Sequence, residues 1–151
     1  MELRNARPED MMVLFRWAND PDVRKNSFST KEIGLAEHKN WFAGKLASFD
    51  SRILIGWQDN DPVGVVRFER SGKQAVVGIN LDKQWRGKGL GGKLLEMGIV
   101  DVKTEKFVDK ITAYIKSFND ASVKMFLKAG FKEIENTELS QYQDSRKFVL
   151  E

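Results

Sequence analysis

The segment Arg86-Gly87-Lys88-Gly89-Leu90-Gly91-Gly92-Lys93 does most to limit how this chain folds. Four glycines in eight residues would weaken any helix or strand interior, so the segment marks a break between two kinds of structure. Upstream, Arg52–Trp57, Val63–Arg70 and Gln74–Leu81 are short apolar runs. Asp59-Asn60-Asp61-Pro62 and Ser71-Gly72-Lys73 separate them, which is the pattern of an antiparallel meander. Downstream, Leu90, Leu94, Leu95, Ile99 and Val102 recur at helical spacing. A strand over Lys110–Ile115 follows, then a short helix capped by Asn119 or Asp120, with Val123, Phe126 and Leu127 inside and closed by Gly130. Phe131–Glu135 and Arg146–Leu150 are the last strands, joined by a turn near Gln143-Asp144-Ser145.

Two helices precede the meander. The first opens at Arg7-Pro8-Glu9-Asp10, has an apolar face of Met11, Met12, Leu14, Phe15 and Ala18, and ends near Asn19-Asp20-Pro21. The second runs from Leu35 to Phe49, with Leu35, His38, Phe42, Lys45, Leu46 and Phe49 on one face. Val23–Thr30 is a polar, aromatic-bearing connection. This order predicts an α/β (α+β) fold: a mixed, mostly antiparallel twisted sheet flanked by helices, in one domain over residues 1–151.

Composition narrows the function. With 41% apolar residues, ten Phe and four Trp, the chain has the material for a packed core. It has no cysteine, so neither a disulfide nor a thiolate zinc site is expected, and no metal is called for. Met1–Arg7 mixes charged and apolar residues, and no apolar run approaches the ~18 residues of a membrane span. A cytoplasmic protein that engages no membrane is the expectation. The net charge of +3 is too small to argue for nucleic acid. Its placement is more informative, because Lys83, Arg86, Lys88 and Lys93 against Asp82 give one short segment the whole +3. That cluster fits a compact anionic ligand.

Glycines let a backbone approach phosphate, and the amides opening the next helix point at the anion. A Walker A loop fails because Leu94 follows Gly92-Lys93, where a magnesium-binding hydroxyl belongs. A dinucleotide fingerprint fits Gly87, Gly89 and Gly92 literally, but Asp82–Arg86 separate it from the preceding strand, which belongs to a meander. The third reading is a family resemblance. Arg86-x-x-Gly89-x-Gly91 is similar to the coenzyme A pyrophosphate loop of the GNAT superfamily of N-acetyltransferases, at the same place in the chain. Asn119, Ser122, Gly130 and Phe131 fall on the spacing of that superfamily's second segment, as in its ribosomal-protein acetyltransferases, with Phe126 where Tyr is usual. The resemblance covers essentially the whole chain.

It implies acetyl-coenzyme A as cosubstrate, held by Arg86, Gly87, Lys88, Gly89, Leu90, Gly91 and Gly92, with Ile79, Leu81, Asn119 and Phe126 along the rest of the ligand. Arg16–Arg24, Ser27-Phe28, His38–Phe42 and Pro62–Phe68 further resemble acetyltransferases of UDP-linked amino-sugars in pseudaminic acid biosynthesis, the PseH-like group. That implies a small-molecule amine acceptor, a nucleotide sugar, with no nucleic acid partner and the chain a monomer or homodimer. A sugar asks for aromatic faces and hydrogen-bonding groups, and Arg24, Phe28, His38, Trp41 and Arg67 supply them. His38 fits equally a hydrogen-bonded core histidine. Protein N-terminal or polyamine acetylation, and non-catalytic acyl-coenzyme A binding, are the alternatives. For catalysis, Val76–Leu81 carries no acid where many relatives place Glu, leaving Asn80 to orient a water and Glu69 as a more distant base. Ser122 is the candidate for holding a water near the sulfur.

Overall fold

The computed structural model describes residues 1–138, 142 and 144–151. Among them, seven strands form one sheet in the order β1-β2-β3-β4-β5-β7-β6. The meander is β2 (Ser51–Gln58), β3 (Asp61–Ser71) and β4 (Gln74–Leu81), all antiparallel. β5 (Lys110–Lys116) joins β4 in parallel, and β7 (Ser145–Leu150) lies between β5 and β6 (Lys132–Ile134). The mixed sheet expected from element order is therefore present. The turn anticipated near Gln143-Asp144-Ser145 lies partly outside the described residues at Gln143; Ser145 already belongs to β7.

Helices cover both faces. α4 (Leu90–Thr104) and α5 (Asp120–Lys128) pack on one side, where Leu94, Leu95, Val102 and Phe126 meet Val66, Phe68 and Val77. α1 (Met11–Ala18) and α3 (Leu35–Ala47) cover the other, where Leu14, Trp17 and Phe42 meet Ile53, Ile55 and Val65. The period of two along a strand sorts the residues: Val66 and Phe68 turn to α4, Val65 and Arg67 to α3.

Four expectations change. Leu127, expected inside the short helix, is exposed on α5, which buries Val123 and Phe126. Glu2–Asn5 is an edge strand, β1, paired with β2; four residues with two charges give no usable alternation. Pro21–Lys25 is a short helix, α2, within the region expected to be connection: the Asp20 side chain accepts the Asp22 and Val23 amides, and Pro21 needs no amide partner. α3 buries only His38 and Phe42 of its expected apolar face. Leu35 and Leu46 are exposed, and Phe49 is 91% exposed, because α3 has ended and the chain is turning into β2.

The feature that makes a site is the parting of β4 and β5. They pair only at Gln74↔Lys110, Ala75↔Ile111 and Val76↔Thr112. Beyond that the strands separate, and Val77–Leu81 faces a gap rather than a neighbour.

Candidate functional site

The gap opens into a cleft of about 1050 Å³ that runs from the glycine-rich segment to the α1–α3 side of the sheet. One wall is the end of β4, the other is Ala113–Lys116 of β5 with Ser122, Met125 and Phe126 of α5. The register fixes which β4 backbone groups are open. The Asp82 amide donates to the Val63 carbonyl at 2.8 Å, so in an antiparallel ladder Asn80 and Gly78 also point their amides at β3. Ile79 and Leu81 then direct theirs into the gap. Arg86 takes the Leu81 carbonyl, donating from Nε and Nη2 at 3.2 and 3.0 Å. The Leu81 amide and both backbone groups of Ile79 face the cleft.

At one end stands the N-terminus of α4. Gly87 and Gly89 both have φ of +76°, a left-handed conformation that a side chain would strain, and a Cβ at either would meet nothing within 4 Å. Gly89 is the N-cap, no side chain caps the helix, and no acid lies in its first turn. The first amides of this 15-residue helix therefore have no partner from a capping side chain, and the helix dipole favours an anion there. Gly91 lines the cleft and abuts Met125 and Leu81. Lys88 lies over the Trp85 ring, 5.1 Å from its centroid.

Arg86 does not aim its charge at this loop. It pairs with Asp20 at 3.3 Å and Asp22 at 3.1 Å, tying the α1–α2 corner to the end of β4. A second tie runs alongside it: the Trp17 indole donates to Asp82 at 2.8 Å, and Asp82 also accepts the Gln84 amide. The two halves of the cleft are thereby held in one position. Asn119 is likewise occupied at its oxygen, capping α5 through the Ser122 amide. The Ser122 hydroxyl lines the cleft and has no hydrogen bond among the described residues. Phe126 lines the cleft but is 3% exposed and meets Phe131 edge-on.

The α1–α3 side brings the other predicted residues together, in different roles. Arg24 spends its guanidinium on the carbonyls of Ala18, Ser29 and Lys31 and on the Ser27 hydroxyl, fixing the connection after α2. His38 is 2% exposed among Phe15, Trp41 and Phe42. Its Nε2 lies 3.1 Å from the Met11 carbonyl, which only accepts, so Nε2 carries the hydrogen and Nδ1 the lone pair. Burial holds this imidazole below its usual pKa, against the pull of that hydrogen bond, so it is neutral near pH 7. Phe28 is exposed at the cleft and stands edge-on to Tyr142. Arg67 lies 5.1 Å from the Trp41 ring centroid.

Three lining residues had no place in the sequence argument or only a marginal one. Gly78 sits beside Arg67 on β4; its signal was the missing side chain inside an otherwise apolar strand. Glu69 has one oxygen taken by Lys45 at 3.0 Å and Ser51 at 2.8 Å, while Oε1 is buried without a hydrogen bond among the described residues. Tyr142 reaches the cleft from the segment before β7, where periodicity offers no clue, and stacks on Tyr114. Burial, then the Glu138 charge, raises the Tyr142 pKa, so its phenol keeps its proton at neutral pH.

A family model described as an acetyltransferase (GNAT) domain matches residues 1–132. Mycothiol acetyltransferase of Corynebacterium glutamicum is 24% identical over 142 residues, 89% of this chain and 46% of that protein, so the chain spans about half its length. Ribosomal-protein-alanine N-acetyltransferase of Brucella melitensis superposes with a TM-score of 0.82 at 19% identity, covering 99% of each chain. Spermidine N-acetyltransferase of Vibrio cholerae, solved with coenzyme A and spermine, gives a TM-score of 0.86 at 17% identity, over 99% of this chain and 94% of that one. At these identities the two structures speak to the fold.

Proposed function

Because the chain belongs to the GNAT family of acetyltransferases, we propose that it moves an acetyl group from acetyl-coenzyme A to a primary amine. The observation that carries this reading is the conjunction of two features: a long helix whose glycine-rich N-terminus has no cap, and parted strands leading away from it. The first suits a pyrophosphate, through the backbone of Gly87–Gly92. The second suits an amide-bearing tether that adds to the open edge of β4 at Ile79 and Leu81, as an extra strand would. The cleft volume accommodates both a large cosubstrate and an acceptor.

Acetyl-coenzyme A supplies an activated thioester carbonyl. The rest is the chain's work. The nitrogen–carbon bond forms as the carbon–sulfur bond breaks; the amine loses a proton and the sulfur gains one. With no cysteine in the chain, transfer is direct. The open β4 amides favour the charge that develops on the carbonyl oxygen. No acid stands on β4, so proton removal falls to a water held by Asn80, with Glu69, whose Oε1 is buried without a hydrogen bond among the described residues, as a more distant candidate. A sugar amine, whose pKa lies nearer ~8 than lysine's ~10.4, needs only that much help. Phe126 has no proton to give, and a thiol with a pKa of ~8.5 is a competent leaving group without one.

For the acceptor we propose a nucleotide-linked amino-sugar. The support is the aromatic wall of Trp41 and Phe28 beside Arg67 and the Asn80 side of β4. Phe126 and the acid-free β4 favour the second reading, a non-catalytic acyl-coenzyme A-binding module. An acceptor panel with free-thiol readout decides between them. UDP-amino-sugars, peptides, spermidine and aminoglycosides are assayed with acetyl-coenzyme A. Acceptor-dependent thiol release is expected, highest with the UDP-amino-sugar. Tight coenzyme A binding with no release from any acceptor supports the binding module.

A further inference from the structure

Arg67 is unusual in what it lacks. It projects from β3 toward the α3 side and lines the cleft. Its side chain makes no hydrogen bond or ion pair among the described residues; its one specific contact is the Trp41 ring. Burial lowers its pKa from the ordinary guanidinium value, yet arginine stays charged. A charge taken from water without a partner is costly, and proteins seldom keep one without use.

The surroundings hold this guanidinium in place without giving it an ion pair. Gly78 is its cross-strand partner on β4, and a Cβ there would stand 3.3 Å from Arg67 Nε and 3.6 Å from Cγ. The bare backbone of Gly78 lets the side chain lie across the strand, with the Trp41 ring against it. The neighbouring acid, Glu69, attracts Arg67 without forming an ion pair with it, and one of its oxygens is taken by Lys45 and Ser51. Arg24, close enough to repel Arg67, has used its own donors on carbonyls and a hydroxyl, which leaves its charge in place. The acceptor side of the cleft therefore presents two cations, each with an acid near enough to attract it, Glu69 for Arg67 and Glu37 for Arg24, but Arg67 keeps free donors.

We propose that the acceptor is an anionic amine, and that Arg67, lying across Gly78 beside Trp41, binds its carboxylate or phosphate. The inference rests on the acetyltransferase reading for where the amine enters, but not on the acceptor being a sugar. A guanidinium fork matches either anion through two parallel hydrogen bonds. The same charge repels polyamines, so the cleft selects by sign before it selects by shape. Gly78 is a positioning residue: it touches no substrate and sets where the guanidinium lies.

The test has a binding arm and a turnover arm. Inorganic phosphate and acetate are titrated calorimetrically into protein saturated with coenzyme A, which occupies the glycine loop. One of them is expected to bind, with Arg67→Gln weakening it at least tenfold, Arg67→Lys retaining part of the affinity and Gly78→Val behaving like Arg67→Gln. In turnover, glucosamine 1-phosphate is compared with glucosamine, β-alanine with β-alaninamide, and both pairs with spermidine. The anionic member of at least one pair is expected to lead in kcat/KM by tenfold or more, with spermidine poorest, and Arg67→Gln should erase the lead. The pair that shows it tells phosphate from carboxylate. Anion affinities that Arg67→Gln leaves unchanged, or a wild-type preference for neutral or cationic amines, would overturn the proposal. If coenzyme A itself fails to bind, the acetyltransferase reading fails, while the phosphate and acetate titrations of wild type and Arg67→Gln still decide the fate of Arg67.

Discussion

At single residues, the site separates groups that touch the cleft from groups that hold it together. Ser122 lines the cleft with a hydroxyl that has no hydrogen bond among the described residues, and Phe126 lines it with no proton to give. General acid help is worth ~10²–10⁴-fold where it operates. If Ser122 only steadies a water, Ser122→Ala should lower kcat by less than ~10-fold, below that range, with coenzyme A affinity unchanged. Loss of all measurable chemistry would make Ser122 the donor. His38 gives a second prediction, read in stability. It is the only histidine in the chain, and burial lowers its folded-state pKa. The unfolded chain therefore binds the proton more readily, so stability is full above the unfolded value of ~6.5 and is lost as pH falls below it. Urea unfolding of wild type and His38→Leu between pH 7.5 and about 5 should show this slope only in wild type, since carboxylates titrate mainly below ~4.5. A parallel slope in both proteins would mean His38 is not buried neutral. Sequence alone left a substrate role and a core role equal for His38, because helical phase cannot show that Nε2 meets the Met11 carbonyl.

At the scale of elements, the ties at the corner of α1 and α2 matter most. Arg86 looked like a phosphate ligand in a basic cluster, yet its guanidinium pairs with Asp20 and Asp22, 64 or more residues earlier in the chain. No local pattern announces such a contact. Asp20 is 15% exposed and Arg86 29%, so the pair is partly shielded from water. Hydrogen bonds to charged groups are worth ~1.5–3 kcal/mol, so Arg86→Ala should cost roughly 2 kcal/mol of unfolding free energy. Coenzyme A affinity should fall as well, because Arg86 also holds the Leu81 carbonyl where the strand edge opens. Full stability with weakened coenzyme A binding would instead make Arg86 a direct ligand. The meander, α4 and the cap of α5 were legible in sequence because turn residues and apolar periods act locally. β1 and α2 were not, being four and five residues long and largely polar.

At the scale of the whole molecule, the proposed function rests on a parting that no residue encodes by itself. β4 and β5 pair over three positions and then separate, leaving backbone groups free beside an uncapped helix. The glycines marked one end of this cleft in the sequence; the open strand edge and the pairing of Arg67 with Gly78 arise only when distant segments assemble. The central claim is that the N-terminus of α4 binds the pyrophosphate of acetyl-coenzyme A, and calorimetric titration of wild type and Gly89→Asp tests it most directly. No atom lies within 4 Å of a Cβ at Gly89, so the variant should fold, at a left-handed strain of ~1–2 kcal/mol. Its carboxylate would stand beside the helix amides and repel the ligand. Wild type is expected to bind acetyl-coenzyme A at one site per chain, and folded Gly89→Asp at least ~10-fold more weakly, a change of ~1.4 kcal/mol. Equal affinity in the two proteins would contradict the account.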